Sequence, residues 1–440
     1  MKPMRGPCTS ILVLMSLFCF FSSAGARVYI DIDSPAFLKF PIALAGFRAL
    51  DGEKDPAHFS AKLTKMLAKY LEITGFFSVI PDQGLPLESG RIPGKRGDIP
   101  FAQWSASGAE YLVAGGFSAT AQGRSIECRL YDIDSGESIM GKRYSGGMED
   151  EKRLISQCAG DILASLTGGE DVFDTKIAFS MKRGKTSEIY TINFDGSEMT
   201  RLTNFQSITL FPRWSPGGRY MAIVSYRSGN PDLYLLDTIG KGSRKILRYS
   251  GLNLPGAWSP DGEKMLISLA KDGNEEIYAL EISSGRLQRL TTHSAIDVSP
   301  VWSPDGRRIA FVSDRAGTPQ IYLMDSEGSR PRRLTFEGNY NTSPSWSPVG
   351  DRIAFESRVE GRYQIFSIRE DGSGLIRHSV SVGDCESPAW SPDGRYLAFI
   401  EKSKDRYRLC VVNANGSNLR VLHEAAESLT GAAWSPHLGR

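Results

Sequence analysis

The chain has 440 residues, of which 52 are basic, 50 are acidic and 41% are hydrophobic. Its first 26 residues carry Lys2 and Arg5 and no acid, so the remainder has basic and acidic side chains in equal number. That balance argues against a nucleic-acid binder, which needs a basic excess on some face to neutralise phosphate. No later stretch is long and apolar enough to cross a bilayer.

Residues 1–26 read as a secretory signal peptide. Lys2 and Arg5 precede an apolar run over 11–21, and Ala24-Gly25-Ala26 supplies small residues for cleavage before Arg27. Cys19 follows Phe18, where a lipoprotein signal wants a small residue, so a soluble exported product is expected. The segment Arg27, Val28, Tyr29, Ile30, Asp31, Ile32 and Asp33 alternates apolar and polar side chains, the pattern of a strand able to pair at an edge. Residues 27–167 then read as a mixed α/β domain large enough for its own core. Strands are expected over 40–47, 76–80, 111–119, 125–132 and 138–144, and helices over 55–73, around Trp104 and over 149–166. A Gly- and Pro-rich loop covers 83–100, and 168–176 is expected to be a linker.

From 177 to 440 the sequence repeats. Trp-Ser-Pro stands at Trp214, Trp258, Trp302, Trp346, Trp390 and Trp434, each 44 residues after the last. Hydrophobic triplets such as Ile177-Ala178-Phe179 and Ile309-Ala310-Phe311 recur with the same step. Units of about 40–45 residues with several short strands predict propeller blades, here six. In one unit, strand A is expected at Pro300-Val301-Trp302, strand B over 308–313, strand C over 320–324, and strand D ending at Arg333-Leu334-Thr335. Ser303-Pro304-Asp305-Gly306 is a hairpin turn by its chemistry: proline presets φ, the Asp side chain caps backbone and glycine tolerates positive φ. Gly217-Gly218 and Val349-Gly350 replace Asp-Gly in two units, a change of turn detail only. The array opens on a B strand and closes on an A strand, so the last strand is expected to complete the first blade and hide a β-edge.

No catalytic constellation emerges. The G-x-S-x-G elbow is missing, and His58, His293, His378, His423 and His437 are scattered. Asp297, Asp384 and Glu386 are the carboxylates a glycosidase reading would use, but the loops of all six units keep one length, where enzymes on this scaffold grow unequal ones. Cys128, Cys158, Cys385 and Cys410 show neither a zinc spacing nor a disulfide framework. A single bridge in an oxidising compartment stays open, with free thiols the expectation. The basic run Arg330-Pro331-Arg332-Arg333 reads as a solvated D strand. Six tryptophans at one position are a packing element between blades, so function is sought where the units differ, in the loops entering strand A. Leu252, Asn253, Pro255, Asp297, Val298, Asn341, Thr342, Asp384 and Glu386 are expected there, at one mouth of the channel, as a ring suited to a protein or peptide partner.

The whole pattern resembles the TolB family of the Tol-Pal system. The resemblance rests on the leader, the α/β domain, the junction Leu166-Thr167-Gly168 with Phe173-Asp174-Thr175-Lys176-Ile177-Ala178, and the blades ending in Ala433-Trp434-Ser435-Pro436-His437-Leu438. It implies a non-enzymatic periplasmic adaptor without cofactor or metal, monomeric and peripheral to the outer membrane. Pal, the peptidoglycan-associated lipoprotein, would bind at the propeller mouth, and TolA would bind the mature amino terminus from Arg27 to Asp33. Such a protein supports outer-membrane integrity and cell division. The alternative is an exported propeller that binds a carbohydrate or small ligand, with hydrolase activity as one form of it.

Overall fold

A computed structural model describes residues 37–50, 58–80, 99–120, 123–240 and 242–439. The expected signal peptide and the segment 27–33 lie outside the described residues, as does most of the 83–100 loop. The amino-terminal domain is built on a five-stranded sheet, β1 (Phe40–Ala49), β2 (Phe77–Ile80), β3 (Tyr111–Thr120), β4 (Gly123–Asp132) and β5 (Ser138–Gly146), in the order β2-β1-β3-β4-β5. Strand β1 runs parallel to both neighbours, and the β3-β4-β5 meander is antiparallel.

The central strands β1 and β3 are buried on both sides because both sides are covered there, whereas β4 and β5 alternate buried and more exposed residues. The helix α1 (Phe59–Ile73) buries Phe59, Leu63, Leu67 and Tyr70 at helical spacing, and α3 (Glu151–Thr167) buries Leu154, Ile155, Cys158, Ile162 and Leu163. The short helix α2 (Phe101–Ala106) drives Trp104 into a separate cluster with Ala43, Ala45, Leu112 and Tyr131. Gly115 is required in β3: a Cβ there would lie 2.4 Å from the Phe47 ring.

One expectation is corrected here. Cys128 on β4 and Cys158 on α3, which the sequence left as free thiols, form a disulfide with Cα atoms 6.4 Å apart. Cys385 and Cys410 are free and buried, and Cys385 lies inside the strand Asp384–Trp390. The Cys128–Cys158 bridge closes a segment with a sequence separation of 30, which chain entropy values at about 3–4 kcal/mol. Cys128→Ser/Cys158→Ser is therefore expected to unfold this domain at markedly lower urea, read by circular dichroism. An unchanged midpoint would show that packing alone carries it.

Six four-stranded antiparallel sheets follow. Strands A of blades 2 to 6 are Thr209–Trp214, Asn253–Trp258, Asp297–Trp302, Asn341–Trp346 and Asp384–Trp390, each longer at its start than the sequence pattern suggested. Blade 1 takes its strand A from the end of the chain: Leu429–Trp434 pairs with Lys176–Arg183, as the phase of the repeat requires. The A strands contact one another in a closed circle, which leaves a tunnel on the axis. Apolar clusters span neighbouring blades, for example Val224 and Leu235 with Trp258 and Ile267, so each blade buries its face against the next. The repeated tryptophans add directional anchors in two places: Trp258 and Trp390 each donate to a carbonyl on strand A of the preceding blade, Arg213 and Ser345, at 3.1 Å.

Residues 168–176 are not a free spacer. Gly168 caps α3 at φ 73°, Asp171, Val172 and Thr175 are buried, and Lys176 already belongs to the first propeller strand. The amino-terminal domain rests on the A–B turn and C–D loop ends of blades 6 and 1. Tyr396 Oη and Asn413 Nδ2 donate to Thr74 O at 3.2 and 3.3 Å, and Arg395 reaches Thr167 O at 3.1 Å. Lys152 pairs with Glu198 at 2.8 Å. Because the strands of a blade alternate in direction, the D–A and B–C loops emerge at the other end, away from this domain.

Candidate functional site

At the open end, each strand A carries a buried residue at one register position at or next to its start: Thr209, Asn253, Asp297, Asn341, Cys385 and Leu429. This corrects the reading of three expected contact residues. Asn253, Asp297 and Asn341 are 0% exposed. Asn253 Nδ2 donates to Tyr249 O and Gly251 O at 2.9 and 3.1 Å, and its Oδ1 accepts the Tyr249 N–H. Asn341 donates to Glu337 O and Gln320 Oε1 at 2.8 and 2.7 Å. Asp297 is held by the Arg315 guanidinium at 2.8 and 3.0 Å. Pro255 is buried as well. Asn253, Asp297 and Asn341 shape the loops from inside, and Pro255 faces the tunnel.

The next residue along each strand does reach the surface. In blades 2 to 4 this position is Leu210, Leu254 and Val298; in blades 5, 6 and 1 it is Thr342, Glu386 and Thr430, all partly exposed. Half of the ring is therefore apolar and half polar. Leu252 and Asp384 are also partly exposed, and Asp384 Oδ1 accepts the Tyr363 N–H at 2.9 Å. Glu356, on strand B of blade 5, backs the polar half. Its Oε1 accepts the Ser387 N–H at 2.6 Å and its Oε2 accepts the Thr342 hydroxyl at 3.1 Å. Burial raises the Glu356 carboxyl above its ordinary value, with Glu386 adding like-charge repulsion, and burial likewise raises Glu386.

Every strand A carries a bulge near the tunnel. Phe211, Ser299, Ser343 and Ser387 sit there at φ between 52° and 58°, with Gly431 at 69°. A left-handed residue with a side chain costs about 1–2 kcal/mol, and its return in blade after blade marks it as part of the fold and not as strain local to a site.

Sequence reasoning missed the outermost part of the rim, Val380, Val382 and Phe336. Val382 is 88%, Val380 83% and Phe336 73% exposed, all on D–A loops, with Ile208, Ile296 and Tyr340 also exposed on theirs. A hydrophobic residue standing between the end of strand D and the buried first residue of strand A was the available signal. Among the described residues no group of three or more His, Cys, Asp or Glu is placed to hold a metal ion, and no helix is long and apolar enough to cross a membrane.

A family described as "TolB beta propeller domain" matches residues 163–438, and one described as "TolB amino-terminal domain" matches 28–139. The chain belongs to the TolB family. A "Tol-Pal system protein TolB" of Syntrophus aciditrophicus is 48% identical over 214 residues, 48% of this chain and 47% of that protein. Another, from Desulfosudis oleivorans, is 37% identical over 224 residues, 51% of each chain. The chain thus spans about half the length of the curated relatives it matches. The crystal structure of TolB from Acinetobacter baumannii superposes with a TM-score of 0.79 at 26% identity, covering 91% of this chain and 97% of that one.

Proposed function

We propose that the protein is a non-enzymatic periplasmic adaptor of the Tol-Pal system, holding Pal at the open end of the propeller and TolA through residues 27–33. Through Pal it associates peripherally with the outer membrane, and it supports outer-membrane integrity and cell division. Membership of the TolB family supports the assignment to this system. The observation that carries the Pal-binding reading is the surface just described: exposed Val380, Val382, Phe336 and Ile296 around a mouth that is apolar on one half and polar on the other. Isolated exposed apolar residues are ordinary, but several on one loop cluster beside fixed polar groups make a docking surface.

Val380→Asp/Val382→Asp leaves the fold intact because both side chains are exposed, and it is expected to weaken Pal binding by roughly tenfold or more in calorimetry. Removal of residues 27–33 is expected to abolish capture of TolA while sparing Pal. Full Pal affinity in the double variant, or sugar release from polysaccharide by the purified protein, would overturn the adaptor reading.

A further inference from the structure

The tunnel encloses a cavity of about 430 Å³, lined by strand A of every blade. At one structural position the six blades present Arg213, Ala257, Val301, Ser345, Ala389 and Ala433 to it. Arg213 is the sole ionisable side chain among the described residues of the lining. Its Nη1 donates to Pro212 O at 3.0 Å, and no carboxylate among the described residues pairs with it. Burial pushes its guanidinium down to about 10. Arg213 is partly buried, and a guanidinium partly withdrawn from water and facing a cavity presents a fork that matches a carboxylate.

We propose that the tunnel is an anion site in which Arg213 pairs with one carboxylate, supplied by an acidic side chain of the docked partner or by a free carboxylate ion. A single guanidinium balances a single negative charge, which favours a carboxylate over a doubly charged phosphate. The partner-supplied form rests on the adaptor reading above; the free-ion form does not.

The test uses the full chain, Arg213→Gln and Arg213→Lys. Acetate is titrated at constant ionic strength, read by tryptophan fluorescence, since Trp214, Trp302, Trp346, Trp390 and Trp434 line the tunnel, and by melting temperature. A saturable response in the wild type that Arg213→Gln loses supports the site. Pal affinity measured in parallel identifies the source. A loss of roughly 30-fold or more in Arg213→Gln, partly restored in Arg213→Lys, assigns the carboxylate to the partner; unchanged Pal affinity with an acetate response assigns it to a free ion. If Pal fails to bind the wild type, the adaptor reading falls while the acetate arm still decides the site. The proposal is overturned if acetate acts equally on Arg213→Gln, or if neither acetate nor Pal distinguishes the variants.

Discussion

Deletion of residues 429–440 is expected to unfold the propeller, not merely to shorten it. Strand Leu429–Trp434 pairs with Lys176–Arg183 through Leu429 opposite Met181, Thr430 opposite Ser180, Ala433 opposite Ala178 and Trp434 opposite Ile177. Ser435 and Lys176 exchange two hydrogen bonds, Ser435 N to Lys176 O at 2.8 Å and Lys176 N to Ser435 Oγ at 2.9 Å, and Trp434 Nε1 donates to the Thr175 hydroxyl at 2.8 Å. The strand also packs between strand A of blade 6 and strand A of blade 2. Losing a buried tryptophan alone costs about 3–5 kcal/mol. The deletion further opens the circle, so that Lys176–Arg183 becomes an unpaired edge and blades 1 and 6 lose their shared face. The sum is a large part of the roughly 5–15 kcal/mol that holds an ordinary domain together. A truncated chain that melts at the wild-type temperature by circular dichroism would refute closure by this strand. Trp434→Ala, which keeps the backbone pairing, is expected to fall between the two.

How much of this was legible follows from what repeats. A period of 44 residues is a property of the sequence, and it located the blades, their turns and the closing strand before any coordinates. The disulfide was illegible because Cys128 and Cys158 sit on a strand and a helix that only tertiary packing brings together. The mouth was read in part: Leu252, Val298, Thr342, Asp384 and Glu386 reach the surface, whereas Asn253, Pro255, Asp297 and Asn341 are buried. One register position at the entry to strand A reads Thr209, Asn253, Asp297, Asn341, Cys385 and Leu429, and polar residues there suggested a surface. Cys385 and Leu429 in the same register were the hint that the position is interior, since a blade cannot turn one copy of an equivalent residue inward and another outward. Arg213 was passed over for a related reason: it interrupts a position otherwise filled by Ala, Val and Ser, so only its place on the tunnel gives it meaning.

The second large effect is sensitivity to acid through His378. It stands where the other units carry Leu202, Ile246, Leu290, Leu334 and Leu422, and it is only 4% exposed. One ring nitrogen meets the Ser367 hydroxyl at 2.8 Å, and Nδ1 has no partner among the described residues. Burial, with the neighbouring Arg352 charge adding to it, pushes the imidazole down from 6.5 to about 3. The unfolded chain therefore takes up a proton first as pH falls, and the stability present above pH 6.5 drains away toward pH 3. Between pH 7 and pH 4.5 that is worth about 3 kcal/mol through this one residue. His378→Leu restores the apolar residue of the repeat and removes the titration. Urea unfolding at both pH values is expected to show the wild type losing about 3 kcal/mol more than the variant. Equal losses would mean that the ring gains its proton inside the folded blade, with the Arg352 guanidinium moved aside to admit the charge.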